Sequence, residues 1–289
     1  MFYFKLLWKD LKNIRLFINN LNFKVWLLFL THPVIVRRFV IRLNAAFQTF
    51  NNDLIVTIDG DENRKIKFLV KNISDIKIIL EIFYELNYKI NTKDECVVID
   101  VGMNKGAASL YFASQPNIKK VFSYEPFKET YESAIRNFEL NKELKEKIYP
   151  HNFGISDNDA DISVNYSSKD QGLNTVTDVN LKNLTPNVGN TTKQTVKLAA
   201  ADKIFSEIIN SASKEKIIVK MDCEGSEYKI FDCLDKAGLF PKISYILLEW
   251  HFKGENILIE TLLKNGFVSF SRKLHVILGF IKAVNVKNL

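Results

Sequence analysis

Between Phe4 and Val25 the apolar positions recur at alternating intervals of three and four: Phe4, Leu7, Leu11, Ile14, Ile18, Leu21 and Val25. That spacing predicts an amphipathic helix with one apolar seam, widened by Trp8, Phe17, Phe23 and Trp26. His32-Pro33 should close it, and residues 34 to 47 predict a second helix. From residue 51 the pattern changes. Apolar runs over 54–58 and 66–70 flank the polar stretch Asp59-Gly60-Asp61-Glu62-Asn63, which reads as a hairpin and its turn. Ser74 or Asp75 can then cap a helix running to Leu86.

Four later apolar runs each end in a carboxylate: residues 97–99 before Asp100, 121–124 before Glu125, 217–221 before Asp222, and 245–248 before Glu249. A fifth strand is expected over 148–155, helices over 107–113, 129–140, 201–210 and 256–264, and a closing antiparallel pair over 268–270 and 274–280. Strands alternating with helices imply a parallel, doubly wound α/β sheet. Ligands of such sheets sit outside the carboxyl ends of the strands, so Asp100, Glu125, Asp222 and Glu249 should face one crevice. Residues 165–193 interrupt the pattern with six asparagines, Gly172, Pro186 and Gly189, and read as a disordered insertion or a loop that orders over substrate.

The first of these strands runs into Gly102-Met103-Asn104-Lys105-Gly106. Glycines at 102 and 106 let backbone approach a bound molecule, and the free N–H groups at the following helix start favour a carboxylate or phosphate. The G-x-x-x-G spacing is not the G-x-G-x-x-G of dinucleotide sites, which disfavours a nicotinamide-dependent oxidoreductase. Glu125, about twenty residues downstream, can accept hydrogen bonds from both hydroxyls of a ribose.

A chain of 289 residues with 47% hydrophobic content can bury a full core. Its formal charge of +7 resides in residues 1–50, where eight Lys or Arg face Asp10 alone. The remainder is balanced, so nucleic acid is not expected as a partner of the main domain. The basic arm admits three roles: packing on its own globular domain, a homo-oligomer or partner seam, or a helix peripheral to an anionic membrane surface. Cys96, Cys223 and Cys233 form no C-x-x-C pair, and no stretch approaches the roughly 20 apolar residues of a membrane span. A reducing, cytoplasmic setting is therefore expected, with attachment to the inner membrane surface open to the arm.

The set Ile99-Asp100-Val101-Gly102-x-Asn104-x-Gly106, Tyr124-Glu125-Pro126, Asn137-x-x-x-Asn141, Val219-Lys220-Met221-Asp222-Cys223-Glu224-Gly225-Ser226-Glu227 and Leu248-Glu249-Trp250-His251 resembles the FkbM family of S-adenosylmethionine-dependent methyltransferases. The resemblance covers residues 97 to 270, and Lys220-x-Asp222-x-Glu224-Gly225-x-Glu227 is its most specific part. It implies the class I, Rossmann-like fold, a seven-stranded mostly parallel sheet with the last strand antiparallel. It also implies O-methylation of a glycan or other small hydroxylated metabolite. Three segments are then expected: an arm (1–50), a hairpin and helix lead-in (51–95), and the methyltransferase domain (96–289). The cofactor would contact Asp100, Gly102, Asn104, Gly106, Glu125, Pro126, Gly154 and Asp222. An alcohol needs a base, and Asp222, Glu249 and His251 are the candidates. Asp222 and Glu249 offer hard oxygen ligands for Mg²⁺ as an alternative. The rival from another class is a non-catalytic scaffold of the same fold, docked through its arm.

Overall fold

The computed structural model describes residues 30–50, 53–60, 64–166 and 192–288. The seam helix expected over residues 4–25 and the middle of the polar segment, residues 167–191, lie outside them. The chain divides into two compact units, residues 1–90 with 136–145, and residues 91–135 with 146–289.

In the first unit, helix α1 (Pro33–Leu43) begins with proline in its first turn, where the missing N–H has no intrahelical partner to lose. It buries Val36, Phe39, Val40 and Leu43, one face at helical spacing. The helix stops four residues short of the expected end. Asn44 takes a left-handed conformation (φ 46°) and donates from Nδ2 to Asp59 Oδ2 at 2.8 Å. Ala46 and Phe47, expected as the end of that helix, instead open strand β1 (Ala46–Phe50), antiparallel to β2 (Asp53–Asp59), which pairs with β3 (Lys65–Val70). Strand pairing and the edge-on packing of Phe39 against Phe47 (6.1 Å between rings) thus override a helical reading of the local sequence. Helix α2 (Ile73–Phe83) is capped by neither Ser74 nor Asp75 but by Asn72, whose Oδ1 accepts from the Asp75 amide while Asp75 Oδ2 accepts from the Asn72 amide. This reciprocal pair satisfies two amides that the first turn leaves open.

Two asparagines of the family motif belong to this unit and have a structural use. Asn141 Oδ1 accepts from the Lys67 amide (2.9 Å), its Nδ2 donates to the Lys67 carbonyl (2.8 Å), and Asn137 Oδ1 accepts from the Leu69 amide (2.8 Å). Side-chain amides here take the place of a neighbouring strand along β3.

The second unit is built on a seven-stranded sheet. Its strands are β4 (Cys96–Val101), β5 (Ile118–Tyr124), β6 (Ile148–His151), β10 (Lys216–Met221), β11 (Tyr245–His251), β12 (Phe267–His275) and β13 (Leu278–Asn285). They lie in the order β12-β13-β11-β10-β4-β5-β6, and β13 alone runs antiparallel to its neighbours. This is the expected class I arrangement. β4 is buried along its whole length, as a strand covered on both faces must be. Val97, Ile99 and Val101 enter one core with Ile217, Val219, Met221, Ile246, Leu248 and Trp250, under Phe205, Ile230, Phe231, Leu258 and Leu262 from the helices. Alternation then turns Asp100 and Lys220 to the opposite face.

Three details differ from the expected pattern. The strand expected over 148–155 divides, because β7 (Gly154–Ser156) leaves the main sheet for a small one of order β7-β9-β8. Its partners β8 (Ala160–Tyr166) and β9 (Thr192–Ala200) are antiparallel and meet at Tyr166 and Thr192, so the polar segment is bounded by paired strands. The closing hairpin turns at Val276-Ile277, after the polar Ser271 to Lys273, because β12 alternates exposed with less exposed positions over much of its length. A strand wet on one face carries polar residues without ending there.

Replacing Asn141 with Ala removes two hydrogen bonds to β3 and should destabilise the protein by about 1 to 3 kcal/mol. Thermal unfolding followed by circular dichroism should show a melting point lower by several degrees, at about 2–4 °C per kcal/mol.

Candidate active site

The carboxyl end of β4 turns where only glycine fits. Gly102 sits at φ +80°, and a Cβ there would lie 1.7 Å from the Asp222 carbonyl oxygen at the end of β10. The two strand ends can approach because residue 102 has no side chain. The amides of Gly102 and Met103 both donate to the Tyr124 carbonyl (3.1 and 2.9 Å), tying the loop to β5. Asn104 is left-handed (φ 51°), and Gly106 (φ 82°) caps helix α3 (Ala107–Ser114).

Beneath this loop lies an ion pair. Lys220 and Asp100 are paired in register on β10 and β4, and both are almost wholly buried. Lys220 Nζ lies 3.1 Å from Asp100 Oδ1 and donates to the Gly102 carbonyl at 2.5 Å, while Asp100 Oδ2 accepts from Ser109 Oγ at 2.6 Å. Burial opposes the lysine charge, but Asp100 and Asp222 outweigh it and hold the Lys220 pKa above its ordinary value.

Over the loop opens a cleft of about 600 Å³, counted with its mouth, lined by Gly102, Asn104, Glu125, Gly154, Asp222 and Glu224 among others. Glu125 is 6% exposed and accepts through Oε2 from the Asn104 amide (3.0 Å) and through Oε1 from the Phe127 amide (3.1 Å). Burial pushes its pKa up to about 7, partly offset by those two amides and by Lys220. Gly154 is packed so that a Cβ would lie 2.8 Å from Leu198 Cδ2 and 3.3 Å from Pro126 Cβ. Of the eight residues expected to contact cofactor, Gly102, Asn104, Glu125, Pro126, Gly154 and Asp222 line the cleft. Asp100 does not. The expectation that all four strand-end carboxylates face the crevice is corrected here, because Asp100 is 0% exposed and turned to Lys220. Gly106 serves at the helix start instead.

At the far end of the cleft four carboxylates surround one imidazole. His251 Nδ1 donates to Glu227 Oε1 at 2.8 Å, and that oxygen also accepts from the Cys223 amide at 3.3 Å. His251 Nε2 lies 3.6 Å from Glu224 Oε2 and 3.9 Å from both Asp222 Oδ1 and Glu249 Oε1. Burial disfavours the imidazolium, yet Glu227, Glu224 and Asp222 together raise the His251 pKa. The Glu224 carboxyl is raised in turn, by burial first, with His251 working in the other direction. Glu224 reaches this position on a left-handed backbone (φ 52°) followed by Gly225 (φ 103°). A non-glycine residue in that region is costly and persists where its surroundings demand it.

The profile of the Methyltransferase FkbM domain matches residues 100–269, more than half of the chain. The chain belongs to the FkbM methyltransferase family. Among solved structures the methyltransferase FkbM of Methylobacillus flagellatus KT is 14% identical, with 71% of this chain and 47% of that one covered and a TM-score of 0.46. This chain therefore spans about half the length of that relative. The Streptococcus pneumoniae protein Sp1610, provisionally named a tRNA (m1A22) methyltransferase and solved with S-adenosyl-L-methionine, is 17% identical over 66% of each chain, with a TM-score of 0.40. No curated protein matches the chain.

As an FkbM methyltransferase the chain depends on S-adenosylmethionine, and its cleft fits that group. Two buried polar atoms on cleft-lining residues, Asn104 Oδ1 and Ser226 Oγ, have no hydrogen-bond partner among the described residues. Each Glu125 oxygen retains a lone pair beyond its backbone amide. Lys220 and Glu227 belong to the motif read from sequence but had no role assigned to them there. A lysine inside the apolar run of β10 was the available signal, since a charge there needs an acid on the adjoining strand.

Lys220→Met should leave Asp100 as a buried, uncompensated charge and lower stability by about 3 to 5 kcal/mol. Adding Asp100→Leu should recover most of that loss in urea unfolding. Calorimetry should still find cofactor affinity reduced in the double variant, because nothing then holds the Gly102 carbonyl.

Proposed function

We propose that this FkbM methyltransferase transfers the methyl group of S-adenosylmethionine to a hydroxyl of a glycan or small glycosylated metabolite. The observation that carries the reading is the set of carboxylates at the end of the cofactor cleft, where Asp222 and Glu224 line the wall and Glu249 and His251 stand behind them. The cofactor supplies an electrophilic methyl group. The protein must hold an alcohol in line with it and take the alcohol's proton, and positioning of that kind is worth up to about 7 to 11 kcal/mol. A hydroxyl-rich neutral acceptor suits an acidic wall, whereas a phosphate backbone would be repelled by it. His251 is buried, its Nδ1 is committed to Glu227, and it does not line the cleft. Asp222 or Glu224 therefore serves better than His251 as proton acceptor.

Glu125 takes the ribose hydroxyls, with Pro126 and Gly154 beside it and Gly102 and Asn104 along the rest of the cofactor. Its pKa of about 7 gives the binding a pH dependence. Hydroxyl donors favour the ionised carboxylate, so cofactor binding releases a proton below about pH 7 and affinity weakens as pH falls. In the empty protein the sign is reversed, because the raised pKa favours the protonated form. Glu125 then contributes stability that is full below its unfolded pKa and is lost as pH rises through about 7. Calorimetry across this range should show the dependence, and Glu125→Gln should flatten it while lowering affinity by roughly one to two powers of ten.

The acceptor is tested by mass spectrometry of cellular glycans and glycosylated metabolites with and without the protein. The expected result is a gain of one CH₂ per acceptor, and its absence from all of them would overturn this acceptor class. On the acceptor so found, Asp222→Asn or Glu224→Gln should lower turnover by about 10²- to 10⁴-fold.

A further inference from the structure

The buried imidazole at the end of the cleft holds one nitrogen on Glu227 and turns the other toward three carboxylates. His251 is 6% exposed, and its Nδ1–H is fixed on Glu227, itself 0% exposed. Its Nε2 faces Glu224, Asp222 and Glu249 at 3.6 to 3.9 Å, beyond hydrogen-bond reach of each. Donors that meant only to bind a proton would close to within about 3 Å. The spacing suits a different occupant. Two donors each about 2.1 Å from one ion lie roughly 3.4 to 3.9 Å apart across a tetrahedral or somewhat wider angle. The donor atoms of Asp222, Glu224 and His251 all lie within 4.8 Å of one another.

We infer that Asp222, Glu224 and His251 form a binding site for a divalent first-row metal ion, with Glu249 at its rim. Glu227 is the positioning residue. A buried carboxylate on the far nitrogen of a metal-binding histidine fixes the tautomer and the ring, leaving the near nitrogen's lone pair directed at the ion. The left-handed backbone of Glu224 and the glycine after it serve the same end by turning that side chain back toward His251. One imidazole with carboxylates favours Mn²⁺, Fe²⁺ or Zn²⁺ over Mg²⁺, whose preferred sites are all oxygen. The pair Asp222 and Glu249 considered for Mg²⁺ from sequence alone is thereby replaced, since Glu224 stands nearer to His251 Nε2 than Glu249 does. What the ion would do rests on the methyl-transfer reading. It would place a Lewis acid where the acceptor hydroxyl lies, lowering that hydroxyl's pKa.

The test uses the full chain, stripped with a chelator, dialysed, and titrated with Mn²⁺ while the free-ion signal is followed by electron paramagnetic resonance. One Mn²⁺ should be taken up per chain, with excess Mg²⁺ a poor competitor. Uptake should be lost in His251→Ala and weakened about 10- to 100-fold in Glu227→Gln. Calorimetry with S-adenosylmethionine on the same samples confirms that each variant is folded. Absence of stoichiometric uptake by the unaltered, cofactor-binding chain would overturn the site. So would equal uptake by a cofactor-binding His251→Ala, and if that variant does not fold, Glu224→Gln takes its place with the same criterion. Stoichiometric, His251-dependent uptake without methylation of any hydroxyl would establish the site and count against the acceptor reading alone.

Discussion

The active-site end of the sheet depends on one buried ion pair. Lys220 and Asp100 meet on the central strands, both almost wholly buried, and the lysine also donates a hydrogen bond to the Gly102 carbonyl. Three features are fixed at once by that contact. The β4 turn cannot drift from β10, the missing side chain at Gly102 is matched by the Asp222 backbone, and the Ser109 end of the following helix is held through Asp100. Buried ion pairs contribute little net stability compared with apolar replacements, but breaking one is severe. Here the pair specifies a geometry, the close approach of two strand ends over which a ligand cleft opens.

From that constraint the rest of the site follows in layers. The β4 loop, tied to the Tyr124 carbonyl, presents the Asn104 amide to Glu125, so the acid that begins the next loop is oriented by the glycine turn itself. On the other side of Asp222, a left-handed Glu224 and Gly225 reverse the chain, and Glu227 enters the core to hold His251. The Glu125 end and the acidic end of the cleft are therefore two branches of the same junction between β4 and β10.

The sheet and its carboxyl-end loops were legible because both signals are local. An apolar strand closed by an acid and a glycine turn can be read within ten residues, and the order of such units implies their crossover. The carboxylate cluster was legible in part, since Asp222, Glu249 and His251 end their strands, but Glu224 and Glu227 acquire their roles from a backbone reversal that sequence does not display. Asp100 was misplaced for a related reason. Its position at a strand end pointed to the crevice, while strand alternation and the lysine across from it turn it inward. β1, β8 and β9 escaped notice because each is defined by the partner it pairs with. The Asn72 cap, read two residues late, was a choice among several polar residues that only the observed capping geometry decides.

The amide contacts along β3 have a consequence beyond holding a helix in place. A row of open backbone donors and acceptors is a template on which another chain can add a strand, the first step toward intermolecular sheet growth. Asn137 and Asn141 occupy those positions with groups that mimic a strand yet cannot be extended by one. In the folded chain the asparagine pair thus acts as a terminator, closing this edge of β3 to a further strand.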